Sequence, residues 1–209
     1  MKQPRETIHF LTSSNPPDTP WGPALAKAVV ADGIDMFITS NHGGYHLSPE
    51  RVAKMPHPLG NLGTWSGGNW YERDNDGALV VFSFPDIFTD EDVFFAVERI
   101  LQQCPIYLKG VDVWLGTPAA KPLRDRCDAF YDANKTKFRL LYITRDAAGG
   151  SLLHCRAVTL DRTQAVVFIT TSDAPELPPL FTMDQLLDSK ATILRTATAE
   201  TITNETPAP

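Results

Sequence analysis

Hydrophobic residues fall along this chain in short runs punctuated by glycine, proline and charge, and the runs predict its elements. Ala26–Ala31 and Ile34–Thr39 flank Asp32-Gly33, and an Asp-Gly pair between two apolar runs predicts a hairpin. Ser48-Pro49 places a capping hydroxyl before a proline at the first helical position, so Ser48–Met55 reads as a short helix closed by Pro56. Ala78–Phe84 is continuously apolar and ends at Pro85; strand and buried helix both stay open for it, because periodicity does not separate them in so short a run. Thr89–Cys104 is the clearest helix. Val93, Val97, Ile100 and Cys104 form one stripe, widened by Phe94 and Leu101. Thr89 caps it, Asp90, Glu91 and Asp92 match the positive end of its dipole, and Pro105 follows its last turn.

The second half has a different texture. Pro122–Asn134 fits a helix with Leu123, Cys127, Phe130 and Tyr131 on one side. Phe138–Arg145, Leu152–Leu160 and Gln164–Thr171 are strand-like, joined by the short glycine-bearing loop 146–150 and the tight turn 161–163. Thr182–Leu187 predicts one more short helix. The expected fold class is therefore α+β: an antiparallel sheet, made of the hairpin plus a C-terminal three-stranded meander, packed with three to four helices. The expected organisation is a flexible lead-in over residues 1–18, whose Ile8–Leu11 patch docks on the body. A single domain follows over 19–195, with an N-terminal half (19–104) and a C-terminal helix-plus-meander half (105–195), and then a disordered tail over 196–209.

Composition limits the function classes. A chain of 209 residues with 43% hydrophobic and 21% charged residues can bury a core without disulfides or metals. Its net charge of −6 argues against non-specific nucleic-acid binding and suits a basic partner. The three cysteines, Cys104, Cys127 and Cys155, are widely spaced and form no CxxC pair, so they read as reduced thiols packed as small apolar groups. Met1–Phe10 mixes charge with too few apolar residues for a signal peptide, and no run approaches a membrane span, so a cytoplasmic location is expected.

Candidate chemistry gathers at Asn41-His42-Gly43-Gly44-Tyr45-His46-Leu47-Ser48-Pro49-Glu50-Arg51, expected to be a loop. The diglycine offers positive φ and lets another group approach the backbone closely. It also removes the helical geometry that a His-x-x-x-His metal pair needs. A metal held by both imidazoles and one of Glu50, Glu72, Asp74 or Asp76 is conceivable, but the pattern assigns no metal set and no cofactor. For acid–base work the candidates are His42 and His46, with Glu72 or Asp74 as the orienting carboxylate. Gly43, Gly44, Tyr45, Arg51, Trp65, Trp70 and Tyr71 are the candidate binding residues, the loop indoles being either interface anchors or rings folded back on the core. The carboxylates Glu72, Asp74 and Asp76 read first as a solvated turn before the apolar run 78–84. No Gly-x-Ser-x-Gly elbow, Walker A loop or GxGxxG is present.

The segments Thr19-Pro20-Trp21-Gly22-Pro23, Ser40-Asn41-His42-Gly43-Gly44, Leu47-Ser48-Pro49-Glu50-Arg51, Trp70-Tyr71-Glu72-Arg73-Asp74 and Phe84-Pro85 together resemble a domain of unknown function, over roughly residues 19–88. That family occurs in bacteriophage and plasmid-borne proteins, and the resemblance implies a mobile-element setting rather than a particular chemistry. The leading expectation is an accessory protein that binds a host protein or complex in the host cytoplasm, such as an inhibitor of host defence. The alternatives are a small hydrolase or nucleotide-processing enzyme centred on His42 and His46, and a structural adaptor of a phage complex.

Overall fold

A computed structural model describes residues 8–10, 17–103, 105–145, 149–158, 165–170, 177–188 and 192–197. Most of the lead-in, including Leu11, together with Cys104, residues 146–148 of the glycine-bearing loop, the turn 161–163 and the tail beyond 197 lie outside the described residues. The chain divides into two compact units, Met1–Asp128 and Ala129–Pro209. Both are built on antiparallel sheets, giving an α+β protein.

In the first unit β1 (Ile8–Phe10) pairs with β4 (Ala26–Ala31), and a small ribbon, β2 (Asp18–Thr19) and β3 (Gly22–Pro23), lies between them in sequence. The predicted hairpin forms: β4 turns at Asp32-Gly33 into β5 (Ile34–Ile38), with Gly33 at φ 72°. The chain then reverses again. Residues expected to form a loop become a fourth strand, β6 (Gly43–Leu47), and after helix α1 (Pro49–Val52) a fifth, β7 (Trp70–Glu72), completes the sheet order β1-β4-β5-β6-β7. Neither Gly43 nor Gly44 adopts positive φ. Their use is the close approach that lacking a Cβ permits. A Cβ on Gly44 would collide with the Trp21 indole and the Tyr71 carbonyl, and one on Gly43 would meet the Phe37 carbonyl oxygen at 3.2 Å.

Because strand side chains alternate, this sheet has two distinct faces. Ala26, Ala28, Ile34, Leu47 and Tyr71 are buried on the inner one. It packs against α2 (Gly77–Ser83), which resolves the ambiguous apolar run as a helix buried over Gly77–Phe82. A helix apolar on every side belongs inside a core. The helix α3 (Asp90–Gln103) lays Val93, Phe94, Val97 and Ile100 on that core. Thr89 and Asp92 bond reciprocally at its start, as a capping box does. Pro105 both ends α3 and opens α4 (Pro105–Leu115), an element that treating proline only as a stop had missed. Phe82 stacks on Trp114 of α4 at 6.2 Å. The helix α5 (Lys121–Asn134) follows with Leu123 and Cys127 buried, and the division between the units falls within it.

The second unit contains the expected meander, β8 (Phe138–Arg145), β9 (Ser151–Ala157) and β10 (Ala165–Thr170). Two further strands extend it: β11 (Leu180–Phe181) on β8 and, after α6 (Met183–Asp188), β12 (Thr192–Ala197) on β10. Thr196 and Ala197, assigned to the tail by composition, thus end a paired strand. Leu153, Cys155, Phe181 and Leu186 form the core of this unit, with Phe138, Leu140, Leu177 and Met183 packed against it.

Candidate functional site

The outer face of the first sheet carries the chemistry. Its register sets two rows across the strands, Val29–Asp35–His46–Trp70 and Lys27–Phe37–Gly44–Glu72. Trp70 is the hub: its ring lies 4.4 Å from His46, 5.3 Å from Phe37 and 5.7 Å edge-on from Trp21. Lys27 sits over the Phe37 ring and pairs with Asp35 at 2.8 Å.

Three loops meet at one end of this face and enclose a cleft of about 460 Å³ lined by Pro20, Trp21, Asn41, His42, Trp65 and Ser66. Each loop is held by its own hydrogen bonds. Trp21 is mounted at the β2–β3 turn, where Thr19 Oγ1 donates to Gly22 O and accepts from Trp21 N. Its indole lies over Gly44 and donates Nε1–H to Ser66 Oγ at 2.9 Å. His42 closes the β5–β6 turn. Thr39 N and Oγ1 donate to His42 O, and His42 N donates to Thr39 Oγ1. The third loop is fixed by Asp76, whose two carboxylate oxygens accept the backbone N–H groups of Trp65 and Glu72, each at 2.5 Å. Trp65 is thereby held at its backbone while its side chain stays 61% exposed.

Behind the cleft, Glu72 is 5% exposed and its Oε1 lies 3.6 Å from His42 Nδ1. Asp76 is fully buried, and burial raises its carboxyl above the ordinary value against the pull of its backbone N–H bonds, with the neighbouring Glu72 charge adding to the rise. The solvated-turn interpretation of the acidic set therefore fails for Glu72 and Asp76, because the sheet edge and the start of α2 enclose both. It holds for Asp74, which is exposed and bonds Arg99 Nη1 at 2.8 Å.

The predicted residues separate into three groups. His42, Trp65 and Glu72 come together at the cleft, with Gly44 forming the floor beneath Trp21. His46 and Trp70 share the outer face and pair with each other, and neither lines the cleft. Gly43, Tyr45, Tyr71 and Arg51 serve the fold. Tyr45 meets Phe88 edge-on, Tyr71 donates its hydroxyl to Met55 Sδ, and Arg51 Nε donates to Asp32 O under the Phe84 ring. Pro20 and Asn41 stood in the motif segments without an assigned role and Ser66 carried no sequence signal, since their use depends on three loops converging. Trp21 was visible as part of the Thr19–Pro23 motif segment but was not among the candidate binding residues. Among the described residues no group of three or more His, Cys, Asp or Glu side chains is placed to share a metal. No described helix is long and apolar enough to cross a membrane.

The arrangement can do two things chemically. A buried carboxylate behind an imidazole can hold one ring nitrogen and leave the other for proton transfer. Two indoles around an open cleft can hold a ligand by its faces. A protein of this kind is an α+β chain with a loop-built aromatic cleft on one sheet. It belongs to the family described as Domain of unknown function (DUF7007), whose model matches residues 14–133 and so covers all three cleft loops. No curated protein and no solved structure matches the chain.

Proposed function

We propose that this protein is an accessory factor of phage- or plasmid-type mobile elements that binds a host protein or complex in the host cytoplasm and inhibits a host defence. The mobile-element setting rests on the family resemblance in the motif segments. The binding activity rests on one observation: an indole, Trp65, is 61% exposed although its backbone is tied to a fully buried carboxylate. Ordering a large apolar ring at the surface is unfavourable unless something covers it, and tryptophan is enriched where interfaces concentrate their binding energy. The acidic balance of −6 suits a basic partner.

The test uses tagged wild-type chain and Trp65→Ala as parallel baits in host lysates, with and without defence systems expressed. Wild type should recover a stoichiometric partner that the folded variant loses. Recovery of the same proteins by both, or of none by either, overturns the proposal.

A second reading is supported by the 3.6 Å approach of His42 Nδ1 to Glu72. In it His42 is the general base of a small hydrolase or nucleotide-processing enzyme, oriented by Glu72. Turnover of an ester, phosphodiester or nucleotide substrate that is lost in folded His42→Ala would favour it. Turnover retained in that variant would sink it.

A further inference from the structure

The cleft is selective in its chemistry. Its walls are two indoles, an imidazole and a proline, with Asn41 and Ser66 supplying an amide and a hydroxyl. No lysine or arginine is among the described residues that line it. The nearby described cations are already engaged: Lys27 with Asp35, and Arg73 and Arg99 with Asp74. Two carboxylates stand directly behind the walls, Glu72 against His42 and Asp76 against the Trp65 amide. An anion entering here would meet buried negative charge and no counter-charge. A cation would meet the electron-rich faces of the indoles and favourable potential behind them.

We propose that the cleft receives the cationic end of a lysine or arginine side chain from a basic segment of the partner. This rests on the binding function proposed above and names the anchor that such a partner presents. Trp21 and Trp65 supply the aromatic walls. Glu72 and Asp76 supply the field, and Asn41 and Ser66 offer hydrogen-bond acceptors to the N–H groups of the cation. Placing the carboxylates behind rings, and not at the surface, keeps solvent from screening them.

The test is an NMR titration of the full chain, following the indole N–H signals of Trp21 and Trp65. The probes are short Gly/Ser peptides with one central residue: lysine, arginine, acetyl-lysine or glutamate. Lysine or arginine peptides should shift both signals saturably and more weakly as salt rises. Acetyl-lysine and glutamate peptides should leave them in place. Trp65→Ala, a change at an exposed side chain, should weaken binding by on the order of tenfold. Glu72→Gln should weaken it in the same direction, with the free spectrum of each variant reporting its folding. Equal shifts from the acetyl-lysine or glutamate peptide overturn the cationic anchor, as does no shift from any peptide. The outcome is separable from the bait experiment. A partner lost by Trp65→Ala together with silent cationic peptides removes only the cation. A partner kept by Trp65→Ala removes the binding function, whatever the peptides do.

Discussion

Asp76 and Trp65 are coupled across the sheet edge: the fully buried carboxylate accepts the backbone N–H of the residue whose indole is among the most exposed large side chains described. The same carboxylate accepts from Glu72 N, so one side chain fixes both the outer wall of the cleft and the strand that carries its buried acid. Asp76 also begins α2, yet its oxygens turn back to these two amides and make no side-chain cap. Its position is thus spent on the cleft loops and not on the helix it precedes.

Asp76→Asn leaves one of the two amides facing an NH₂ group and should lower stability by roughly 1–3 kcal/mol at neutral pH. The pH dependence has a defined sign. Burial raises the Asp76 carboxyl in the folded chain above its ordinary 3.8, so the native state holds the proton more tightly than the unfolded one. That contribution is complete below about pH 3.8 and is lost as pH rises through the native value. The stability of wild type minus Asp76→Asn, from urea unfolding at several pH values, should therefore fall with rising pH across this window. A difference that grows with pH would mean that the two N–H bonds outweigh burial.

Gly44 separates the uses of glycine here. A methyl group at Gly44 strikes both the Trp21 ring and the Tyr71 carbonyl, and the latter is backbone that cannot move aside. Gly44→Ala should cost at least 1–3 kcal/mol, about the range seen for overpacking, and should expose Trp21 to quenchers. Gly67 sits at φ 78° with open space around its Cβ position. Gly67→Ala should cost only the left-handed penalty of about 1 kcal/mol and leave Trp21 quenching unchanged. Equal losses for the two variants would mean that Trp21 does not rest on Gly44.

These glycines show how much of the protein was legible in its sequence. The hairpin, the capped helix after Ser48, the long helix after Thr89 and the C-terminal meander were all local patterns, and each formed. Strand β6 was not legible, because Gly43-Gly44 has low strand propensity and its extended backbone depends on pairing with β5 on one side and β7 on the other. The cleft was half legible. His42, Trp65 and Glu72 stood out by residue type, whereas Pro20 and Asn41 stood in motif segments without a role and Ser66 acquires meaning only from convergence. Burial was the least legible property: composition placed Glu72 and Asp76 in solvent, and the carboxylates are enclosed because each meets a specific partner.

Arg126, like Asp76, organises several segments with one side chain. Its guanidinium donates to Asp90 Oδ1 at 2.6 Å, Pro85 O at 2.6 Å and Phe88 O at 2.9 Å, tying α5 to the turn before α3. The Asp90 side chain is 62% exposed, so the ion pair itself adds little in water, and the two carbonyl bonds carry the clamp. Arg126→Ala should cost roughly 1.5–3 kcal/mol, whereas Asp90→Asn should cost under about 1 kcal/mol. Arg126→Lys should recover little, since an ammonium lacks the planar fork that spans three acceptors. Urea midpoints for the three variants check the order, and an Asp90→Asn loss as large as that of Arg126→Ala would overturn it.

Cys127 and Cys155 give a prediction about reactivity. Both are buried, and burial pushes their thiols up, to about 11 and about 12 respectively. For Cys127 the nearby Asp128 and Asp90 charges add to the rise, while Arg126 opposes it. The reactive species is the thiolate, and at pH 8 both groups are held overwhelmingly as thiols beneath packed side chains. Native protein treated with iodoacetamide at pH 8 should therefore leave both residues unmodified, as read by peptide mass mapping, and both should label once the chain is unfolded in urea. Arg126→Ala removes the neighbour that favours the Cys127 thiolate and also loosens the attachment of the helix that carries Cys127, and these effects oppose each other. Faster labelling of Cys127 in that variant would show that access controls the thiol, and unchanged protection would show that ionisation does. Rapid labelling of either residue in the native wild-type chain would contradict the packing described for its unit.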